Sequence, residues 1–504
     1  MTRTVVEPAA TAEVHGSGRH PRGLATLFFT EMWERFSYYG MRGLLVLFMT
    51  DAVRGGLAFD DQTATAIYGL YSAAVYLAAL PGGWVADRLM GAQRAVWYGG
   101  VIIASGHFVL AIPHEKTFYL GLVLVVLGTG LLKPNISAIV GDLYPEGGAR
   151  RDAGFSIFYM GINVGAFAGP LVCGYLGEQI NWHYGFGAAG VGMVFGLLQY
   201  RLTQPHLGAA GRLPAAHAKG GVISDEANRK HWRALWTGVA IIVLVVSLGL
   251  SGAIDFHPLA LAQWSTGIIL GIAGAYFIYL FVFAGLEPQE RRRTFVILVL
   301  FLGAALFWSG FEQGGSSLNL FADRYTDRVL GDFEIPATWL QSINPIMIIM
   351  FAPFFGAMWV ALARRNLDPS IPAKFALGLM LLGLGFLVMF FAARIVATGQ
   401  QVLPTWLVMT YLMHTFGELC LSPVGLSSVT KLAPRRFVSQ MMGIWFLGAS
   451  LGGLIAGLLA GRFHADAVTD MPALYLQIAL MTVGAGVLLL AFARPIHRLV
   501  GGIR

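Results

Sequence analysis

Two acids and two bases stand inside one apolar stretch near the start of the chain, in Thr30-Glu31-Met32-Trp33-Glu34-Arg35-Phe36-Ser37-Tyr38-Tyr39-Gly40-Met41-Arg42. The surrounding segment, Leu24 to Asp51, is long enough to cross a bilayer as a helix. Charge at that depth is costly and is kept where it faces a protein interior or a water-filled path. At about 100° per residue, Glu31, Glu34, Arg35, Tyr38, Tyr39 and Arg42 fall within one arc of a helix. The stripe either neutralises itself and only orients the helix, or handles charge that crosses the membrane.

Other apolar stretches carry similar groups. Lys133-Pro134-Asn135 sets an ammonium about eight residues from the nearer end of its segment, too deep to snorkel, beside a proline that frees a backbone carbonyl. Tyr159 and Asn163 share a face four residues apart, with Gly161 and Gly165 permitting close packing; Asn163 suits a ligand's polar end or simple interhelical bonding. Trp308, Glu312, Gly315 and Asn319 are spaced to align on one face, and Glu312 is a candidate proton site. Asn344-Pro345 places an amide beside a kink. His414, Glu418, Ser422 and Gly425 form a further stripe in which Glu418 is the chemically pointed member; His414 reads more readily as hydrogen-bonded structure than as a relay. Trp445, Tyr71 and Tyr76 either wall a cavity or pack.

The elements that must hold these residues are transmembrane helices. Mean hydropathy is +0.66, 56% of the 504 residues are hydrophobic and only 12% are charged, about half the charged fraction of a soluble domain. Fourteen candidate spans are expected. A tail over 1–23, in which no cleavable signal peptide is read, leads into a six-helix bundle over 24–204. A polar linker follows over 205–233, then an apolar hairpin over 234–285, facing lipid and without charge in its body. A basic connector over 286–293 leads to a second six-helix bundle over 294–495 and a tail over 496–504. With the N-terminus inside, 25 of the 34 Lys and Arg fall in cytoplasmic connections, six outside and three in spans, which is the positive-inside bias. The net charge of +7 therefore belongs to membrane-facing loops, and no nucleic-acid partner is expected. The two cysteines, Cys173 and Cys420, imply neither a disulfide framework nor a metal site.

Between the second and third spans, Gly82-Gly83-Trp84-Val85-Ala86-Asp87-Arg88-Leu89-Met90-Gly91-Ala92-Gln93-Arg94 resembles the loop motif of the major facilitator superfamily, as a gating latch or a topological anchor. Asp87 can cap the next helix or pair with Arg88 or Arg94. Glu31-x-x-Glu34-Arg35 with Phe36-Ser37-Tyr38-Tyr39-Gly40-Met41-Arg42 resembles the first-helix motif of the proton-coupled oligopeptide transporter family. The Asp87–Gly91 loop, Phe155–Phe167, Lys133-Pro134-Asn135, Trp308–Gln313 and Gly417-Glu418-Leu419 through Ser422-Pro423 are similar to its other motifs. The likeness runs from Thr30 to about Leu459 and includes the extra central pair typical of bacterial members.

That resemblance implies an all-α major facilitator fold and a proton-coupled symporter of di- and tripeptides, monomeric, in the bacterial inner membrane with both termini cytoplasmic. It implies that Glu31, Glu34 and Arg35 couple proton and peptide movement, that Arg42 pairs with the proton-binding Glu312, and that Lys133 pairs with Glu418. The peptide's amino end would meet Glu418, Asn163 and Asn344, and its carboxylate the Arg35 and Lys133 side. Tyr39, Tyr71, Tyr159, Trp308, Trp445 and Ser422 would form side-chain pockets, and Asp323 is an outer-gate candidate.

The physics is consistent with such a substrate. A zwitterion of constant backbone is oriented by cations on one side and a carboxylate on the other, while aromatic walls accept many side chains. Carboxylates paired with Arg or Lys suggest protons rather than Na⁺ as the driving ion, and no metal or other cofactor is expected. A carrier of another zwitterionic or anionic solute is the alternative, against which Glu418 argues for anions. A membrane enzyme would want a catalytic cluster at a membrane face, and a receptor would not need buried charge.

Overall fold

The computed structural model describes residues 20–146, 148–212, 225–462 and 468–501. Among them, fourteen helices of at least 19 residues follow one another. They are α1 (Arg22–Thr50), α2 (Asp61–Val85), α3 (Ala92–Leu110), α4 (Glu115–Asp142), α5 (Gly148–Gly174), α6 (Trp182–Thr203), α7 (Asp225–Leu250), α8 (Pro258–Val282), α9 (Pro288–Phe311), α10 (Ile343–Arg364), α11 (Ile371–Val396), α12 (Thr405–Leu432), α13 (Val438–Ala460) and α14 (Met471–Ala491). Ten helical stretches are long and apolar enough to cross a bilayer. α1 is not among them because its charges depress its hydropathy, yet at 1.5 Å per residue it is about 43 Å long, more than a hydrocarbon core requires. Among the described residues, strand is confined to a pair of two-residue strands, β1 (Val329–Leu330) and β2 (Phe333–Glu334), beyond the end of the α9 region.

Helices α1–α6 pack together as one half and α9–α14 as the other. Small residues set how closely they approach. Along α5, Gly161, Gly165 and Gly169 meet the α1 backbone carbonyls of Phe28, Met32 and Phe36, and Gly40 of α1 faces Cys173 and Gly169. This every-fourth-residue glycine seam presses α1 against α5 backbone to backbone. It holds the charged face of α1 inward: Glu31, Glu34, Arg35 and Arg42 are all buried. Gly91, with φ of 81°, takes the left-handed turn that starts α3.

Three local expectations change. Span seven is not one helix: α9 ends at Phe311, a 3-10 turn runs over Glu312–Gly315, and a nine-residue helix resumes over Ser317–Tyr325. The Gly314-Gly315-Ser316 sequence favours such a break, so Trp308, Glu312, Gly315 and Asn319 do not continue one face. Asp87 does not cap α3, whose N-cap is Gly91 without a side-chain bond; Asp87, Arg88 and Arg94 are exposed. Instead the buried Gln93 donates to the carbonyl of Ala210 at 2.6 Å and accepts at its own carbonyl from Tyr200 Oη at 3.0 Å, tying the start of the linker to α3. Finally, the hairpin does not simply face lipid. α7 buries no residue of its apolar part, whereas α8 buries Ala262, Ile269, Ala273, Phe277 and Leu280 on a single stripe against α2 of one half and α13 of the other.

Cross-half hydrogen bonds gather at the end where α1 terminates. Arg324 holds Asp61 with two bonds of 2.7 Å, Asn319 Nδ2 donates to the Gly43 carbonyl at 2.8 Å, and Trp339 Nε1 to the Leu171 carbonyl at 2.9 Å. At the same end Asp51 fastens the loop after α1: its carboxylate accepts from Trp182 Nε1 at 2.8 Å, Arg54 N at 2.9 Å and Val53 N at 3.2 Å. Burial pushes the Asp51 carboxyl up, but these bonds and the Arg54 charge outweigh it and hold it below the usual carboxylate range.

Two outcomes follow from this packing. Gly169→Leu should drive a side chain into the α1 backbone and destabilise the protein by about 1–3 kcal/mol, read as a lowered melting temperature in detergent. For Asp51, the depressed folded pKa means its contribution is whole above the ordinary carboxylate value and is lost as pH falls through the lowered one. Melting temperature should therefore show a drop below about pH 4 that Asp51→Asn removes.

Candidate functional site

Between the halves lies a cavity of about 140 Å³. α1 contributes Arg35, Tyr38, Tyr39 and Arg42 to its wall, α4 contributes Lys133, α5 contributes Tyr159 and Asn163, the α9 region Trp308 and Glu312, α10 Asn344, and α12 His414 and Glu418. Three cations on α1 and α4 thus share one cavity with two carboxylates from the opposite half.

One tight contact crosses the halves. Arg42 Nη2 lies 2.6 Å from Glu312 Oε2, and Arg42 Nε donates to Tyr68 Oη at 2.6 Å. The Tyr68 hydroxyl in turn donates to Glu312 Oε2 at 3.2 Å. The helix break places Glu312 there: the carboxylate sits at the end of α9, where the helix gives way to the 3-10 turn. Gly315 leaves the space that Tyr68 occupies, since a Cβ there would collide with its phenol. Arg42 also stands over the Tyr39 and Tyr68 rings, 5.6 Å from each centroid, within cation–π range.

Two helical turns away, Arg35 Nε lies 2.9 Å from Glu31 Oε1 and 2.5 Å from Glu34 Oε2. These are charge contacts without full hydrogen-bond alignment: Arg35 Nε and Nη2, both Glu34 oxygens and Glu31 Oε2 are buried with no hydrogen-bond partner. Such a cluster is held by Coulomb attraction, with part of its hydrogen-bonding capacity unused.

On the opposite wall, Asn344 Nδ2 donates to Glu418 Oε2 at 3.2 Å and to Thr415 Oγ1 at 3.0 Å. The pairing of Lys133 with Glu418 is not formed. Lys133 Nζ sits 4.5 Å from the Tyr76 ring centroid, and no ion pair joins it to Glu418. Lys133 is on α4 and Glu418 on α12, across the open cavity, and the halves close at the other end of the molecule. Asn163 spends its Nδ2 on the Tyr159 carbonyl of its own helix at 3.0 Å.

Several expected residues lie elsewhere. Glu31 and Glu34 stand behind Arg35 rather than on the cavity wall. Tyr71 is buried, with its ring stacked on Tyr38 at 6.2 Å, so it backs a wall residue. Trp445 packs edge-on against Phe375 at 6.2 Å, in space left by Gly425, and Ser422 is also off the wall. Trp445 is displaced because it turns toward Phe375 and Gly425 of its own half. Asp323 lies off the cavity, paired with Arg328, whose Nη2 is 3.1 Å from Asp323 Oδ1. Four groups were missed. Tyr68 carried only its spacing from Tyr71 and Tyr76 as a hint, and Phe311, Gln341 and Tyr411 of the wall carry no charge to mark them. Among the described residues no group of three His, Cys, Asp or Glu could hold a metal ion.

The family model described as POT family, PTR2, matches residues 93–473 of this chain. A peptide transporter of Yersinia enterocolitica, YePEPT, is 44% identical over 489 residues, covering 95% of each chain. A di-/tripeptide transporter of Lactococcus lactis subsp. cremoris is 38% identical over 499 residues, covering 96% of this chain and 97% of its own. A crystal structure of a peptide transporter POT in complex with sulfate superposes with a TM-score of 0.87 at 42% identity, covering 96% of each chain.

The phenol between Arg42 and Glu312 makes a direct forecast. Tyr68→Phe removes two hydrogen bonds to charged groups and should cost about 1.5–3 kcal/mol each if nothing replaces them. A clear fall in melting temperature checks this, with Tyr71→Phe, whose hydroxyl has no partner, leaving it nearly unchanged.

Proposed function

The chain belongs to the POT family, and from that premise we propose that it carries di- and tripeptides together with protons, opening the central cavity alternately to each side of a bacterial cytoplasmic membrane. The observation that carries this reading is the buried Arg42–Glu312 contact in a cavity whose far wall presents Glu418. Glu418 and Asn344 receive the peptide's amino end with Asn163, and Arg35 and Lys133 receive its carboxylate. Tyr39, Tyr159 and Trp308 offer aromatic faces to the variable side chains. Tyr71, Trp445 and Ser422 shape those faces from behind.

Coupling follows from charge balance. A carboxylate and a guanidinium neutralise each other at low cost only while both stay charged and close. When a proton occupies Glu312, Arg42 loses its counter-charge and is released to the peptide or to the Glu31–Glu34–Arg35 cluster. The halves then rock between their two packings, with Lys133 and Glu418 approaching when the presently open end shuts. Asp323 takes part in the gate at the closed end. In this reading the molecule works as a monomer of two bundles, 24–204 and 294–495, with the hairpin 234–285 between them, and both termini face the cytoplasm. The closed end is then the external one, and the structure is the inward-facing form.

Proteoliposomes with an imposed pH gradient and labelled di-alanine test the proposal. Wild type should accumulate the peptide. Glu312→Gln should abolish proton-driven accumulation and leave counterflow exchange, and loss of both would contradict the coupling role.

A further inference from the structure

A second buried carboxylate joins the halves, at the closed end and outside the substrate cavity. Glu178 lies in the π-helical turn Tyr175–Ile180 that ends α5, and its side chain is 3% exposed. Its two oxygens reach into the other half. Oε2 accepts from Ala337 N at 2.7 Å, while Oε1 accepts from Thr338 N at 3.0 Å and from Thr338 Oγ1 at 2.6 Å. The receiving element is the 3-10 turn Ala337–Ser342 that leads into α10. Gly174 makes room for it, because a Cβ there would overlap the Thr338 hydroxyl.

The groups that face Glu178 are known. Arg328 Nη1 stands 3.9 Å from Oε2, and its Nη2 is drawn away by Asp323 at 3.1 Å and Glu334 at 2.9 Å. From its own half, Arg54 Nη1 donates to the Glu178 backbone carbonyl at 3.1 Å, with Asp51 Oδ1 3.7 Å from Arg54 Nε. The three donors on the Ala337–Thr338 turn are therefore the direct partners of the carboxylate, and its charge is otherwise compensated at a distance.

We propose that Glu178 is a proton-operated latch that holds this end of the cavity shut. All three donors need acceptor oxygens, and only an ionised carboxylate offers both oxygens without a proton of its own. Protonation puts a hydrogen on one oxygen: on Oε2 it competes with Ala337 N–H, and on Oε1 it competes with Thr338 N–H while the Thr338 hydroxyl can turn to accept it. The carboxyl loses the charge that strengthens all three bonds and part of its acceptor capacity, so the two halves lose much of their grip. The proton competes with a cross-half contact, and no other bond is made or broken. In the alternating-access reading, on which this rests, protons on the closed side then help to open that side, separately from Glu312.

The test measures distance and needs no transport, so a chain that carried no dipeptide would still report on the latch. Spin labels on cysteines at Val53 and Leu330, exposed loop positions of the two halves, read the separation across this end. The measurement is made in a Glu312→Gln background so that the Arg42 pair does not contribute to the titration. Acidification from about pH 8 to about pH 4.5 should shift the population toward the longer distance. Adding Glu178→Gln, whose amide has a single acceptor oxygen, should leave the long distance dominant at every pH. Thr338→Val keeps the turn and removes one donor to the charged form, so the opening midpoint should rise by roughly one pH unit. A pH response that survives Glu178→Gln, or a midpoint unmoved by Thr338→Val, overturns the proposal.

Discussion

A guanidinium and a carboxylate buried against each other, one on each side of a two-part molecule, are the constraint to which the rest of this structure answers. Neither Arg42 nor Glu312 could remain charged in an apolar bundle without the other. Their contact at 2.6 Å is also a contact between halves, so the electrostatics of the pair and the relative position of the halves are one variable. Tyr68 makes the arrangement more than a pair, since its hydroxyl receives from one partner and gives to the other.

The surrounding architecture can be understood as what keeps that contact available. The glycine seam between α1 and α5 lets α1 carry buried charges as a fixed wall rather than as a mobile helix. The break after Phe311 ends α9 at the depth where the carboxylate is needed and lets the following segment run to the closed end, where Arg324 binds Asp61. The cavity then has cations on the α1 and α4 side and Glu418 on the α12 side, a polarity that a zwitterion reads by its two ends.

Much of this was legible in the chain because lipid makes buried charge conspicuous. Glu31, Glu34, Arg35, Arg42, Lys133, Glu312 and Glu418 stood out against apolar neighbours, and so did the spans that hold them. Neutral residues did not. Tyr68, Phe311, Gln341 and Tyr411 look like ordinary membrane residues, and only packing tells a wall from an interior. For the same reason Tyr71, Trp445 and Ser422 were read as wall and stand behind it. The break at Glu312 was hidden because glycine and serine are common in membrane helices and stop one only in context. Glu178 was overlooked since it ends a span, where an acid is unremarkable; its partners are backbone amides from a loop some 160 residues away. The continuous-helix expectation failed for similar reasons of context, and the linker's attachment to Gln93 depends on a meeting that no spacing encodes.

The seam of α1 and α5 has a consequence for how such a carrier can diversify. Backbone touching backbone leaves no room for a larger residue at Gly161, Gly165 or Gly169, so that partition cannot be thickened or thinned by mutation. Changes in cargo preference are channelled into the chamber's remaining surfaces, where Trp308 and Phe311 have free volume in front of them. One side of the chamber is in effect a fixed jig, and the opposite side is where adaptation can reshape the contents.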